Sequence, residues 1–449
     1  MNFAQIGLQV PTILLPRAGT DLTKWAVVAC DQYTSQPDYW HRVENLVAET
    51  PSTLRMMLPE VYLEAADAAR RIAEIEQTMR RYLAENRLVE QPPGFVLVER
   101  RTGRGRSRKG LIAALDLECY DYSPGAKTLI RPTEGTILER LPPRIRVREK
   151  ALVELPHVMV LIDDPECSVI EPLFAEPQES LYDFPLMLDS GQVRGWRAAH
   201  PLLIQWAVEH LTRLADPAAF AARYGIEGEP VLLYAMGDGN HSFATAKTLW
   251  ENLKREASDP VAIMRHPARH ALVELVNLHD PGLEFEAIHR VAFGVRPDDL
   301  LAALADFLSA RQSALRVLDA PSWPAARQSW AELQQAGRHA IAFLMPDRCG
   351  VLVIERPRLT LPVATLQAFL DDYLKTQSGA RLDYIHGEDA LEQLGRQPGN
   401  IGFYLPALAK SDFFRTVIRD GALPRKTFSM GEADEKRFYL ECRRIVPLG

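Results

Sequence analysis

Six consecutive residues, Gly237-Asp238-Gly239-Asn240-His241-Ser242, place a carboxylate, an amide, an imidazole and a hydroxyl within one short turn of chain. Gly237 and Gly239 permit positive φ and a close approach of ligand to backbone. If a helix follows, its first N–H groups face outward, and phosphate is the ligand such a turn suits. A histidine at that position is biased toward its neutral form by the helix dipole, so His241 can accept a proton or donate one hydrogen bond to phosphate. Asp238 is placed either to hold a metal ion or to orient the histidine. Asn240 or Ser242 is the expected helix cap. A ligand-free Asx-type turn is the competing explanation of the same residues.

A second cluster is Arg131-Pro132-Thr133-Glu134-Gly135-Thr136. Glu134 sits on a tight turn between two hydroxyls, where it suits a general base toward a substrate hydroxyl, or a metal ligand. Arg131, Thr133 and Thr136 are its candidate ligand contacts, although turns of this composition are common. Further along, His289 and Arg290 are adjacent at an element boundary, a pairing that neutralises an oxyanion or makes a surface salt bridge. Asp31 and Gln32 follow Cys30 in a polar loop after a strand, a usual place for ligand contacts. Cys30 as a nucleophile needs a base that the sequence does not identify; a buried structural thiol is the simpler reading. Arg144-Ile145-Arg146-Val147-Arg148 alternates strictly, so as a strand it turns three guanidinium groups, Arg148 among them, to one face. That face is either a solvated edge or one wall of an anion site.

The elements that must position these groups are legible from apolar patterning. Val231–Met236 reads as a buried strand before the glycine turn, and 243–253 as the helix after it. Lys24–Cys30, Phe95–Glu99, Gly110–Leu117, His157–Ile162 and Ala271–Val276 read as further strands. The basic, glycine-containing connection Arg100–Lys109 reads as an exposed hairpin tip. Long helices are expected at Val61–Asn86 and Pro201–Ala222. From about Arg296 helices (298–310, 323–336, 363–377, 388–394) alternate with short strands (315–318, 340–344), and an extended run, 437–442, follows. The expected fold class is α/β (α+β): a mixed-sheet core domain over 1–294 carrying both polar turns, and a smaller α/β domain over 295–449.

Bulk properties remove several function classes. With 449 residues, 47% apolar and 25% charged, the chain has the composition of a soluble protein of more than one packed unit. A net charge of −7 gives no general attraction to nucleic acid or anionic membrane, so nucleic acid is not an expected partner. No apolar run is long enough to span a bilayer, and Met1-Asn2-Phe3-Ala4-Gln5 has none of the features of a signal peptide. Five scattered cysteines fit a reducing cytoplasm. The P-loop, the dinucleotide fingerprint, H-E-x-x-H and G-x-S-x-G are all absent.

Taken in order, Val28–Ser35, Pro51-Ser52-Thr53-Leu54, Arg131–Thr136, Gly237–Ser242 and Ala287–Val291 resemble the motifs of the prokaryotic "domain of unknown function 1015" family over nearly the whole chain. Many members of that family carry D-G-H-H-R at the central motif. That motif is similar to the loop of the ParB/sulfiredoxin-like group, which includes free-serine kinases, nucleotide-hydrolysing partition proteins and sulfiredoxins. The resemblance implies a ParB/sulfiredoxin-like core, a phosphate site at Asp238, Gly239 and His241, and Glu134 as the base. Asn240 and Ser242 stand where the longer motif has histidine and arginine. The missing phosphate clamp then falls to Arg131, Arg148 or Lys247. By the same resemblance, ATP or ADP with Mg2+ is the expected cofactor, and serine or phosphoserine the expected kind of substrate.

The function expected is a cytoplasmic phosphotransferase or phosphohydrolase acting on a small hydroxylated metabolite, as a monomer or homodimer. Phosphoryl transfer asks mainly for positioning and charge neutralisation. The alternatives are a non-catalytic nucleotide or metabolite sensor, and redox chemistry through an exposed, low-pKa Cys30.

Overall fold

A computed structural model describes residues 1–176 and 178–447. It divides into two compact units, Met1–Glu284 together with Gly431–Gly449, and Phe285–Met430. The sequence reading set the boundary at 294/295 and gave everything beyond it to the second domain. The structure instead returns the segment from Gly431 to the first unit, through pairings that no local pattern announces.

The first unit is built on a ten-stranded mixed sheet. Its strands are β1 (Asn2–Phe3), β2 (Leu8–Gln9), β3 (Phe95–Thr102), β4 (Ser107–Asp116), β5 (Ile130–Arg131), β6 (Met159–Ile162), β7 (Glu179–Pro185), β8 (Gly191–Ala198), β9 (Tyr234–Asp238) and β10 (His270–Asn277). The main path runs β7-β8-β3-β4-β10-β6-β9-β5, with β2 also pairing to β4 and β1 to β2. The pair β6/β10 is parallel and β6/β9 antiparallel. Strand β5 runs parallel to β9, with Ile130 opposite Tyr234 and Arg131 opposite Ala235, so the two polar turns leave neighbouring strands in the same direction. Central strands β6 and β10 are buried along their whole length, which is why both are dominated by apolar residues, with Glu274 as a buried charge inside β10.

The helices of this unit include α1 (Ala68–Ala84), α2 (Leu141–Arg148), α3 (Pro201–Leu214), α4 (Pro217–Tyr224) and α5 (Asn240–Glu256). Several differ from the sequence reading. Arg144–Arg148 is helix, not strand. Pro142 and Pro143 open α2, where their missing N–H groups cost nothing, and alternation over five residues is too short to fix a period of two. Residues 144 and 148 therefore share one helix face while Arg146 turns away. The expected helix 201–222 is two helices, because Asp216 caps α4 by accepting from the Ala219 N–H and Pro217 begins it. The helix expected from Val61 begins at Ala68 after a short 3-10 turn at Glu60–Tyr62. In Lys24–Cys30 only Val27–Val28 is strand; Leu22–Trp25 is a helical turn. At the Arg100–Lys109 hairpin, Arg100 and Arg108 are buried rather than exposed, since both point into the sheet face that carries Glu274.

Residues near the C-terminal end complete this unit. Phe438–Tyr439 pairs antiparallel with Val27–Val28, and Arg443–Arg444 with Val153–Glu154.

The second unit carries a six-stranded antiparallel sheet of β11 (His289–Phe293), β12 (Ala314–Ala320), β13 (Ala340–Met345), β14 (Arg348–Glu355), β15 (Arg381–Ile385) and β16 (Asn400–Tyr404), in the order β12-β14-β13-β16-β11-β15. Its helices include Pro297–Ser309, Trp323–Gln335, Pro362–Leu374, Glu388–Gly395 and Lys410–Asp420. The α/β class read from the sequence holds for both units. Among the described residues no helix is long and apolar enough to cross a membrane.

Candidate functional site

The glycine turn lies at the end of β9. Gly237 remains extended within the strand, and only Gly239 takes a positive φ, +80°. A Cβ on Gly239 would sit 3.1 Å from the Val158 Cα, so the position tolerates glycine alone on two counts. Helix α5 starts at once, with Gly239 as N-cap and no side chain capping it. The expected caps are employed elsewhere: Asn240 faces the Thr133 turn and Ser242 faces His157. Gly239 offers no side chain to the first N–H groups of this seventeen-residue helix, which present the positive end of its dipole.

The two polar turns meet here. The Thr133 N–H donates to Asn240 Oδ1 at 3.2 Å and the Thr133 hydroxyl donates to the Met236 carbonyl at 2.5 Å. The Ile137 N–H donates to His241 Nε2 at 3.2 Å. Residues 133 and 137 are therefore pinned to the start of α5, and Glu134 lies on the short turn between the pins. The Thr136 hydroxyl is buried without a hydrogen-bond partner among the described residues. Burial, then the Arg144 and Arg140 guanidinium groups, lower the His241 pKa to about 4 against a smaller opposing effect of Asp31. The ring is neutral at pH 7, and since Nε2 accepts, its proton is on Nδ1.

Sequence reasoning missed a third component. His157, just ahead of β6, is buried, and its Nε2 lies 3.0 Å from the Ser242 hydroxyl and 3.5 Å from Asp31 Oδ2. Its Nδ1 is 2.7 Å from the Tyr439 hydroxyl, which accepts from the Cys30 N–H and donates to Cys30 Sγ. Burial opposes protonation of His157, but Asp31, followed by Asp238 and Glu60, reverses this and raises its pKa. Asp31 is held below the usual carboxylate range: burial works against this, and His157, Gln32 and Lys436 overcome it. Gln32 donates to Asp31 Oδ1 at 3.0 Å. Lys436 Nζ is 3.1 Å from Asp238 Oδ2, while Asp238 Oδ1 accepts from the Gly239 N–H. The one local signal for His157 was a polar ring immediately before a fully apolar strand; for Lys436 and Tyr439 there was none.

Other candidates are committed elsewhere. Arg131 is buried and donates to the carbonyls of Thr128 and Pro230, and burial lowers its pKa. Arg148 pairs with Glu154, which also holds Arg443 and the Leu272 N–H. Lys247 pairs with Glu251 one turn on, at 2.6 Å. Each of the three is engaged by these partners, although Arg148 also lines the cavity beside this cluster; Lys436 and Arg144 are further cations there. His289 and Arg290 belong to the second unit, each with its own partners. His289 Nδ1 accepts from the Leu405 N–H and its ring stacks on Tyr404, while Arg290 donates to Gln367 and to the carbonyls of Ile288 and Arg425. Burial, then the Asp31 and Glu60 carboxylates, push the Cys30 thiol well up, so the low-pKa thiol that redox chemistry needs is not there.

Beside this cluster lies a cavity of about 140 Å³. Its body is apolar, formed by Met56, Met57, Leu63, Met79, Val147 and Leu155. Ser242, His157, Tyr439, Cys30 and the Glu60–Arg144 ion pair line its polar side. The donor set fits the phosphates of a nucleotide, with backbone N–H groups and a lysine at one helix start. It does not form a metal cage: both oxygens of Asp238 are engaged, and among the described residues no group of three or more His, Cys, Asp or Glu is gathered. Any divalent ion would come with the phosphates.

The family model described as "Protein of unknown function (DUF1015)" matches residues 14–373. No curated protein matches the sequence. Solved structures with a similar chain path include a free serine kinase in complex with AMP, at 11% identity and TM-score 0.38, over 73% of this chain and 90% of that one. A conserved hypothetical protein from Pyrococcus furiosus is 12% identical with TM-score 0.36, over 73% and 94%. SbnI with a C-terminal truncation, from Staphylococcus aureus, is 11% identical with TM-score 0.31, over 73% and 82%.

Proposed function

The chain belongs to the DUF1015 family, a lineage named for no reaction, and we propose that it transfers or hydrolyses a phosphoryl group on a small hydroxylated metabolite, with a nucleotide as the expected donor. The observation that supports this most is the latching of the Thr133–Ile137 turn onto an uncapped helix start. It sets a carboxylate-bearing turn against a built anion cradle. Phosphate oxygens would take the N–H groups at Asn240–Ser242, with Lys436 and the electropositive side of α2 neutralising charge. His241 stays neutral and offers Nδ1–H as a donor. Glu134 would receive the proton of the acceptor hydroxyl. A bound nucleotide would supply the phosphoryl group, and the residues would orient it and exclude water.

Phosphorus NMR of the full chain with ATP and Mg2+, with and without serine, and with phosphoserine alone, tests the reading. New phosphate resonances that vanish in Glu134→Ala, at an unchanged melting temperature, are the expected result. The sensor alternative gains from the commitment of Arg131, Arg148 and Lys247 to other partners. Calorimetric binding of ATP or ADP with no new resonance would decide for it.

A further inference from the structure

The hydroxyl of Ser242 stands 3.0 Å from His157 Nε2, on the wall of an apolar cavity and in the first turn of the helix whose N–H groups form the anion cradle. The geometry points to a role for Ser242 beyond ligand contact: we propose that it is a nucleophile that takes the phosphoryl group covalently, with His157 as its base. The inference rests on the phosphoryl-transfer reading and adds to it a double displacement and a substrate class.

Tyr439 decides which nitrogen of His157 faces the serine. Its oxygen accepts from the Cys30 N–H at 3.2 Å, and its one proton has two acceptors in reach, Cys30 Sγ at 3.1 Å and His157 Nδ1 at 2.7 Å. With that proton on Cys30 Sγ, Nδ1 carries the ring proton and Nε2 of the neutral ring has its lone pair directed at Ser242, which is the arrangement that attack by Ser242 requires. Asp31 Oδ2, 3.5 Å from Nε2, stabilises the imidazolium that forms when the serine proton arrives. A buried imidazole with one nitrogen fixed by a tyrosine and the other on a half-buried serine is more organisation than the packing of a helix start requires.

In the first step Ser242 Oγ bonds to phosphorus and the phosphorus–oxygen bond to the leaving alcohol breaks. The serine proton passes to His157 Nε2 and on to the departing oxygen. In the second step water, or an acceptor alcohol, attacks the phosphoserine and gives its proton to His157 Nε2. His157 then returns a proton to Ser242 Oγ as that oxygen leaves, and the enzyme is restored. The body of the cavity beside Ser242 is apolar and methionine-lined, with the Glu60–Arg144 and Glu154–Arg148 ion pairs on its polar side, so the alcohol portion seated in that body is compact and apolar. The substrate class is a phosphomonoester of such an alcohol.

The experiment incubates the full chain with p-nitrophenyl phosphate, quenches in acid, and reads phosphoryl adducts by peptide mass spectrometry while nitrophenolate release is followed in parallel. We expect one phosphoryl group on Ser242, none in Ser242→Ala, and a loss of about 10²-fold or more in release for His157→Gln. Ser242→Ala removes one hydroxyl on a helix surface, and circular dichroism checks that it folds. Release without an adduct, undiminished in Ser242→Ala, would overturn the covalent step and leave direct phosphoryl transfer standing. No release and no adduct from p-nitrophenyl phosphate, alongside turnover of ATP in the phosphorus NMR, would overturn the substrate class and the serine's role together.

Discussion

The first unit contains two buried polar clusters with opposite characters. Around Glu274 the charges are paired with one another and buried. Its carboxylate takes Arg108 at 3.4 Å and Arg437 at 2.6 Å; Arg437 continues to Glu441, and Glu441 to the Tyr182 hydroxyl. Arg437 also donates to the Pro156 carbonyl at 2.9 Å. Around Ser242 the groups are partly paired and partly turned toward an uncapped helix start and a cavity. Both clusters use strand β10 or its neighbours, and both recruit the same C-terminal segment, through Arg437 in one and Lys436 and Tyr439 in the other. The difference teaches where to look for chemistry: charges paired deep in the sheet hold the fold, and half-exposed groups beside a helix start and a larger cavity are placed to meet a ligand.

Breaking the closed cluster should have the largest effect. Glu274→Ala strands Arg108 without a counter-charge, leaves Arg437 to Glu441 alone, and should cost about 3–5 kcal/mol in a urea titration. Thr133→Val cuts the hydroxyl bond to Met236 between the two turns. A loss of about 1–3 kcal/mol is expected, together with weaker phosphate binding by calorimetry.

The pH dependence sharpens the contrast further. His157 faces the carboxylates of Asp31, Asp238 and Glu60, with Tyr439 and Cys30 on its other side and Lys436 on the far side of the acids. Its pKa is raised in the fold, so its contribution to stability is complete below the ordinary histidine value and fades as pH rises through the raised one. Turnover through a basic His157 should run the opposite way, rising with pH through the same value. Asp31→Asn should move that inflection to lower pH, which a pH–rate profile reads directly; an unmoved profile would separate His157 from the rate. The smallest effect belongs to Lys247→Ala, which loses a partly exposed helix pair and should change stability by about 0.5 kcal/mol or less, with turnover intact.

Much of this arrangement was legible in the sequence and some was not. The glycine turn, its helix and the acidic turn stood out because each concentrates unusual residue types over a few positions. Their convergence depends on the parallel pairing of β5 with β9, which no local pattern encodes. Arg131, Arg148 and Lys247 looked like phosphate clamps because a sequence reveals a charge but not its partner. Arg144–Arg148 misled for another reason: alternation over five residues is compatible with a helix once two prolines open it. His157 and Tyr439 are 282 positions apart, and only the completed sheet makes them neighbours.

That separation governs how the protein comes into being. A ribosome translating this chain releases His157, Ser242 and the whole stretch up to Met430 before it delivers Lys436 and Tyr439. Until then the imidazole has no phenol to choose its tautomer and Asp238 has no ammonium beside it. A nascent or clipped chain can therefore own every residue of the conspicuous motifs and still be chemically incomplete.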